Sequence, residues 1–338
     1  MSGQVLLADE QLGDYLAGRG LAEPGGVTAV EPAGDGNINW VRRARLADGR
    51  SLIVKQARPA LERFPEYRVS TERIVFEHRY YELAGKLPEA AICPKILDFD
   101  ERERVLTMED LGDAPRLDHR LARGEDPGDA PAALGRFLAA VHATSSPGLA
   151  ERFQNDEMRG LHGDHIFALP LRENDFPLPA ALRAEAERLW QDAELVAIAD
   201  ALHARYREPR GALVHGDVQA GNILLAPAGP KLLDAEIAHV GDPAFDVGIL
   251  LAHLILPAVA TRAPEPALRT GRRMWLAYQE RLGGVLQVPF ADVARYAGIE
   301  LLRRTLGAAR LEATDAPDAG RRVLTQATDW LRSPPAAL

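Results

Sequence analysis

The densest set of chemically competent residues runs from His215 to Glu236: His215-Gly216-Asp217, then Asn222, then Asp234-Ala235-Glu236. A carboxylate such as Asp217 can orient a hydroxyl and take its proton, so it reads as a catalytic base. An amide oxygen and further carboxylates suit a hard divalent cation such as Mg²⁺, which takes oxygen ligands. Asn222 and Asp234 therefore read as metal ligands, with Glu236 as a further carboxylate. Apolar runs frame these groups, Ala212-Leu213-Val214 before and Ile223-Leu224-Leu225 and Lys231-Leu232-Leu233 after. Such runs predict strands that would fix the polar groups on rigid elements. A lone His-x-Asp decorates many turns; the framed and spaced set is what carries the reading.

Asp217 and Asn222 stand in the spacing of the phosphoryl-transfer loop His-Arg-Asp-x-x-x-x-Asn. That chemistry needs a cation on the α- and β-phosphates, and Lys55 ends the apolar strand Leu52-Ile53-Val54-Lys55. Glu77 shares a helix face with Ile74 and Tyr81, and a carboxylate on such a face needs a partner, which Lys55 would supply. Glu72 and Glu82 are the alternatives, more plausibly solvated. Gly34-Asp35-Gly36-Asn37 lies between two strands ahead of Lys55, where backbone N–H groups could approach phosphates closely. Met108-Glu109-Asp110-Leu111 would lie against an adenine ring, with backbone hydrogen bonds around Glu109 and Leu111. Asp246, in Gly241-Asp242-Pro243-Ala244-Phe245-Asp246, sits near a helix N-terminus, where a carboxylate is favoured. It reads, with His215, as a brace for the catalytic loop. His142, His239 and His253 lack ligand spacing and read as packing residues on helices or loops.

The elements that must position these groups change character along the chain. Strands are predicted at Val27 to Pro32, Ile38 to Arg45 and Ser51 to Lys55, the last two joined by an Asp48-Gly49 turn. A helix from Thr71 to Ala84 has Ser70 as N-cap and Gly85 as stop signal. Strands at Lys95 to Phe99 and Val105 to Met108 follow. Beyond Leu111 come a linker with a short helix, a helix at Ala132 to Thr144, one long helix at Leu178 to Tyr206, the strand-rich catalytic block, and helices from Phe245 to Trp330. The layout predicts an α+β bilobal architecture. Residues 1–108 form a small β-rich lobe with one key helix, residues 109–338 a larger, mostly helical lobe, and the hinge falls at 108–112.

The chain has 338 residues and 46% hydrophobic side chains, enough for a real core. A net charge of −9 predicts no broad surface for a nucleic-acid backbone. The one cysteine, Cys93, cannot form an internal disulfide, and the N-terminus lacks the pattern of a signal peptide. The longest apolar run, Val247 to Ala260, is interrupted by His253 and Pro257 and is too short for a bilayer. No membrane association and a cytoplasmic location are expected.

These residues resemble the aminoglycoside phosphotransferase and choline kinase superfamily, which has a protein-kinase-like fold. Leu213 to Asn222 and Gly241 to Asp246 look like its two signature segments. Within it the chain is most similar to the methylthioribose kinases. Gly34-Asp35-Gly36-Asn37-Ile38-Asn39 resembles their phosphate loop, Ile53-Val54-Lys55-Gln56-Ala57 their lysine strand, and Asp234-Ala235-Glu236 their Asp-x-Glu metal motif. Glu300-Leu301-Leu302-Arg303-Arg304-Thr305-Leu306-Gly307 is similar to a segment whose paired arginines contact a sugar. The resemblance implies ATP and Mg²⁺ as cofactors, a small-molecule hydroxyl as acceptor, Arg303 and Arg304 as acceptor contacts, and a homodimer as the assembly to test. From the residues alone, an Arg-Arg pair is equally a basic helix face. Three departures stand out, of which the missing tryptophan and the shorter chain bear on the acceptor. Arg63-Phe64-Pro65-Glu66-Tyr67 has no tryptophan where those kinases carry one. The catalytic loop reads Asp-Val-Gln-Ala-Gly-Asn rather than Asp-Leu-His-Thr-Gly-Ser, and the chain is shorter.

The leading expectation is thus a small-molecule kinase with a methylthioribose-like acceptor. An aminoglycoside or amino-alcohol kinase is the alternative within the same chemistry; acidic side chains lining the cleft and arginines turned away would favour it. A nucleotide-binding pseudokinase is the alternative of another class. A metal-dependent phosphoesterase would not explain the N-terminal residues, and a protein kinase would need an Ala-Pro-Glu-ended activation segment after Asp234.

Overall fold

The computed structural model describes residues 4–34, 38–60, 68–144, 148–209, 211–261 and 264–338. A short helix, α1 (Leu12–Gly18), leads into strands β1 (Val27–Pro32), β2 (Trp40–Leu46) and β3 (Ser51–Gln56). Helix α2 (Arg73–Ala84) follows, then β4 (Ile96–Asp100) and β5 (Val105–Glu109). The five strands form one antiparallel sheet in the order β1-β2-β3-β5-β4. Asp48-Gly49 closes the β2–β3 hairpin, with Arg45 opposite Ser51. Because strand side chains alternate, Leu52 and Val54 pack with Leu12, Leu16, Trp40 and Val105, while Lys55 points from the other face. The start of α2 differs from expectation. Ser70 Oγ accepts the Glu72 N–H at 3.1 Å and so fastens the turn before the helix rather than capping the helix itself.

The rest of the chain is mostly helical: α3 (Leu117–Ala122), α4 (Ala130–His142), α5 (Leu149–Arg152), α6 (Asp156–Gly163), α7 (Ala180–Trp190) and α8 (Ala193–Arg207). Short strands β6 (Ala212–Val214), β7 (Ile223–Ala226), β8 (Gly229–Leu232) and β9 (His239–Gly241) come next. Helices α9 (Pro243–Thr261), α10 (Pro264–Leu282), α11 (Phe290–Leu306) and α12 (Pro317–Arg332) complete it. The single helix expected over Leu178 to Tyr206 is two. Asp192 accepts the Leu195 N–H at 3.0 Å, and this N-cap restarts the helix after a break at Gln191. His239 lies on β9 rather than on a helix or loop, and β9 pairs with β6 while β7 pairs with β8. Helix α9 is long and apolar enough to cross a membrane by composition, but most of it is buried beneath α10, α11 and α12. It lies against β6 and the turn that ends at Asn222.

Candidate active site

β6 and β7 bracket the segment His215 to Asn222. Its bend depends on Gly216, whose φ is +88°; a Cβ there would lie 2.6 Å from the Ile237 carbonyl oxygen. Beneath the bend lies Asp246, wholly buried in the first turn of α9. Its carboxylate accepts the backbone N–H groups of His215 (2.7 Å) and Gly216 (2.9 Å) and meets His142 Nε2 at 3.2 Å. Burial pushes the Asp246 pKa up, but His142 and the loop hydrogen bonds outweigh it and hold the group below the usual carboxylate range. His142 Nδ1 meets Tyr278 Oη at 3.0 Å, so this brace is tied into α10. His215 stacks edge-on against Tyr80 of α2, and burial holds its pKa below the ordinary histidine value.

Asp217 is held from one side only. Its Oδ2 accepts from Asn222 Nδ2 (2.8 Å) and Gln219 Nε2 (2.9 Å), while Oδ1 is buried with no hydrogen-bond partner among the described residues. Gln219 Oε1 in turn accepts from Arg304 at 2.5 Å. Arg304 and Arg303 share the carboxylate of Glu300, at 2.6 and 3.1 Å, and His253 Nε2 lies 3.1 Å from it. Glu300 is fully buried; burial alone would raise its pKa, but Arg303 and Arg304 hold it well below the carboxylate range. Both arginines are nearly buried, not displayed as a basic helix face; Arg304 is joined to the loop through Gln219, Arg303 only to Glu300.

Lys55 Nζ lies 2.8 Å from Glu77 and 2.6 Å from Asp234, with Glu236 at 4.0 Å. Burial opposes its charge, but the three acids overcome this and keep its pKa above the ordinary lysine value. Glu77 is thus the partner of Lys55, whereas Glu72 pairs with Arg104 and Glu82 with Lys86. Asp234 adopts a left-handed conformation, φ +64°, a strained geometry for a non-glycine residue. Its side chain is half exposed. Glu236 Oε2 is engaged by Asn39 Nδ2 at 2.7 Å, with Arg73 Nε 3.6 Å away.

The oxygen donors fit a magnesium ion. Glu77, Asp234 and Glu236 outnumber the cations that meet them, Lys55 and Arg73, leaving excess negative charge. Asn222 Oδ1 has one long contact, 3.5 Å to Gln219, and so retains acceptor capacity. No ready-made cage of three acidic, histidine or cysteine ligands occurs among the described residues. That agrees with an ion held by one or two protein groups together with phosphate oxygens.

Gly34 precedes a stretch in which Asp35, Gly36 and Asn37 lie outside the described residues, as does Arg63 to Tyr67. At the end of β5, Met108 is buried. The Glu109 N–H is spent on the Lys95 carbonyl at 2.9 Å, and its carboxylate pairs with Lys231 at 3.1 Å. The Leu111 N–H has no protein partner among the described residues.

Sequence reasoning missed Gln219, Glu300 and Arg73 as site residues, and His162, whose Nε2 lies 3.8 Å from Asp217 Oδ1. Gln219 stood inside the spaced loop and Glu300 at i−3 and i−4 from the two arginines, so both carried a signal. Arg73 and His162 carried none, because only the packing of α2 and α6 brings them to the site.

The arrangement is a lysine–glutamate pair facing two clustered acids, above a braced Asp-to-Asn loop. It defines a protein-kinase-like enzyme built for phosphoryl transfer. The fold agrees. A choline/ethanolamine kinase family protein from Mesorhizobium loti superposes with a TM-score of 0.54 at 19% identity, covering 96% of this chain and 95% of that one. An ethanolamine kinase from Plasmodium vivax gives 0.57 at 13% identity, covering 99% and 93%. The chain belongs to the phosphotransferase enzyme family, whose profile matches residues 29–283. It is 28% identical to the methylthioribose kinase of Pectobacterium carotovorum over 88% of this chain and 84% of that one. It is 29% identical to that of Bacillus cereus over 93% and 87%. It is an ATP-dependent small-molecule kinase with a hydroxyl acceptor.

Proposed function

We propose that the protein transfers the γ-phosphoryl group of ATP to a hydroxyl of a methylthioribose-like sugar. The observation that carries the acceptor class is the chain Glu300–Arg304–Gln219–Asp217, which links the Arg304 guanidinium to the catalytic carboxylate through one side chain, with Arg303 on the same Glu300. Guanidiniums suit sugar hydroxyls and a product phosphate, and repel a quaternary or primary ammonium. That argues against choline-like and aminoglycoside acceptors, which would want acids where Arg303 and Arg304 stand.

In this reading residues 1–108 and 109–338 are two lobes joined at 108–112, with the adenine taking the Leu111 N–H. Gly34 and the Asp35-Gly36-Asn37 segment cover the phosphates. Lys55, fixed by Glu77, would reach the α- and β-phosphates. Asn222 and Asp234 would hold Mg²⁺, with Glu236 assisting through its second oxygen. When bound, the ion neutralises charge on the β- and γ-phosphates. Asp217 orients the acceptor hydroxyl and takes its proton. His215 and Asp246 keep the loop in shape.

The test is an ATP-consumption assay with Mg²⁺ against methylthioribose, other pentoses and hexoses, choline and several aminoglycosides. Turnover with methylthioribose is expected. Arg304→Ala should raise the acceptor KM far more than the ATP KM. Turnover confined to cationic acceptors would overturn the acceptor assignment and leave the kinase chemistry intact.

A further inference from the structure

Helix α6 ends at His162-Gly163 and runs into one π-helical turn, Asp164–Ala168. Such turns are frequent at functional sites, because the extra residue re-aims the neighbouring side chains. Gly163 allows α6 to press against α8: an added Cβ would lie 2.7 Å from His203 Nε2 and 3.1 Å from Tyr206 Cε1. His162 is thereby seated edge-on to Phe245, with ring centroids 6.4 Å apart and its side chain only 10% exposed.

Asp217 Oδ1 is buried with no hydrogen-bond partner among the described residues. His162 Nε2 lies 3.8 Å from it, too far for a hydrogen bond. A buried carboxylate oxygen left in this way is costly unless a third group enters. An oxygen placed to the side of the gap can stand about 2.8 Å from Nε2 and from Oδ1.

The geometry points to His162 as a second group on the acceptor hydroxyl, its Nε2–H donating to the hydroxyl oxygen while the hydroxyl donates to Asp217 Oδ1. One lone pair of that oxygen is then held by His162 and the other faces the γ-phosphorus. In the transfer step the oxygen–phosphorus bond forms and the bond to the bridging oxygen of ADP breaks. The hydroxyl proton passes to Asp217, and His162 neither gains nor loses one. A neutral ring suits this role. Burial, aided by Arg303 and Arg304 and opposed by Asp217 and Glu300, holds the His162 pKa down to about 3. The inference rests on the kinase reading above, with Asp217 as base, but not on the identity of the sugar.

The experiment compares wild type with His162→Leu, His162→Gln and His162→Asn. Gln places its amide nitrogen near the position of Nε2, and Asn near that of Nδ1. With an acceptor found in the panel, H162L should lower kcat/KM for that acceptor about 10²-fold, the scale of a mispositioned reacting group. ATP affinity and melting temperature should hold. H162Q should recover most of the loss and H162N little; this pair decides the matter if H162L does not fold. Unchanged kcat/KM in H162L, or equal activity in H162Q and H162N, overturns the role of His162. Slow ATP hydrolysis, with water in the acceptor position, is read in parallel. If no sugar turns over, the acceptor reading fails, yet a drop in hydrolysis that H162Q restores still supports His162, and unchanged hydrolysis overturns it.

Discussion

Replacing Asp246 by asparagine should destabilise the protein and slow it at once. The carboxylate accepts two backbone N–H groups through different oxygens and the His142 ring through one of them. Asparagine keeps a single acceptor oxygen. In its best orientation the oxygen stays on His215 N–H and His142, and the new NH₂ faces the Gly216 N–H. One charge-assisted bond is then lost, worth about 1.5–3 kcal/mol, and a buried donor is orphaned at a cost of about 1–3 kcal/mol. The two surviving bonds weaken when the charge goes. About 3–5 kcal/mol is expected in total, a large part of the ~5–15 kcal/mol that holds a typical fold. Urea unfolding reads this as a fall in the midpoint at constant slope. Because the two lost or weakened donors belong to the residues just before Asp217, the loop should shift, and kcat should drop about 10–100-fold at a temperature where the variant is folded. ATP affinity should change little, since no nucleotide contact is altered. A stability loss below about 1 kcal/mol, within the range of surface substitutions and weak contacts, would refute the brace.

Other consequences are equally concrete. Asp217→Asn should cut turnover by about 10²-fold or more while ATP still binds, as single-turnover and calorimetric measurements would read; unchanged turnover would remove it as the base. Glu300→Gln leaves Arg303 and Arg304 without their shared carboxylate in a buried setting. A loss of about 3–5 kcal/mol is expected by denaturant titration, with a rise in acceptor KM. Acid should unfold the protein through the same groups. Asp246, Asp234 and Glu300 have pKa values below their unfolded ones, so their stabilisation is complete above about pH 4–4.5. It is lost as pH falls through the lowered folded values, and a variant lacking Glu300 should show a shallower acid dependence.

Much of this could be read along the chain. Short apolar runs bounded by turn residues marked β1 to β5 close to their observed limits, and Asp48-Gly49 marked its hairpin. Helix breaks were harder. Leu178 to Tyr206 keeps a helical apolar pattern through Gln191-Asp192, and only the backbone bond accepted by Asp192 shows that one helix ends and another begins. Three-residue β9 has too little length for any pattern to declare it.

The sequence by itself determined the class of chemistry, phosphoryl transfer to a hydroxyl. Asp217, Asn222, Asp234 and Glu236 lie close together along the chain, so their types and spacing suggest a base and metal ligands without knowledge of any fold. It also suggested Lys55 with Glu77, because the strand end and the helix face each demanded a partner. Tertiary structure alone decided how those groups are held and what surrounds them. Asp246 reaches back 31 residues to His215, Arg304 reaches 85 to Gln219, and His162 meets Asp217 only because Gly163 lets α6 press on α8. Hydrogen bonds of this kind depend on where helices pack to within an ångström or so. Hydrophobic periodicity tells which face of a helix is buried, not which polar atom on a distant element that face will meet.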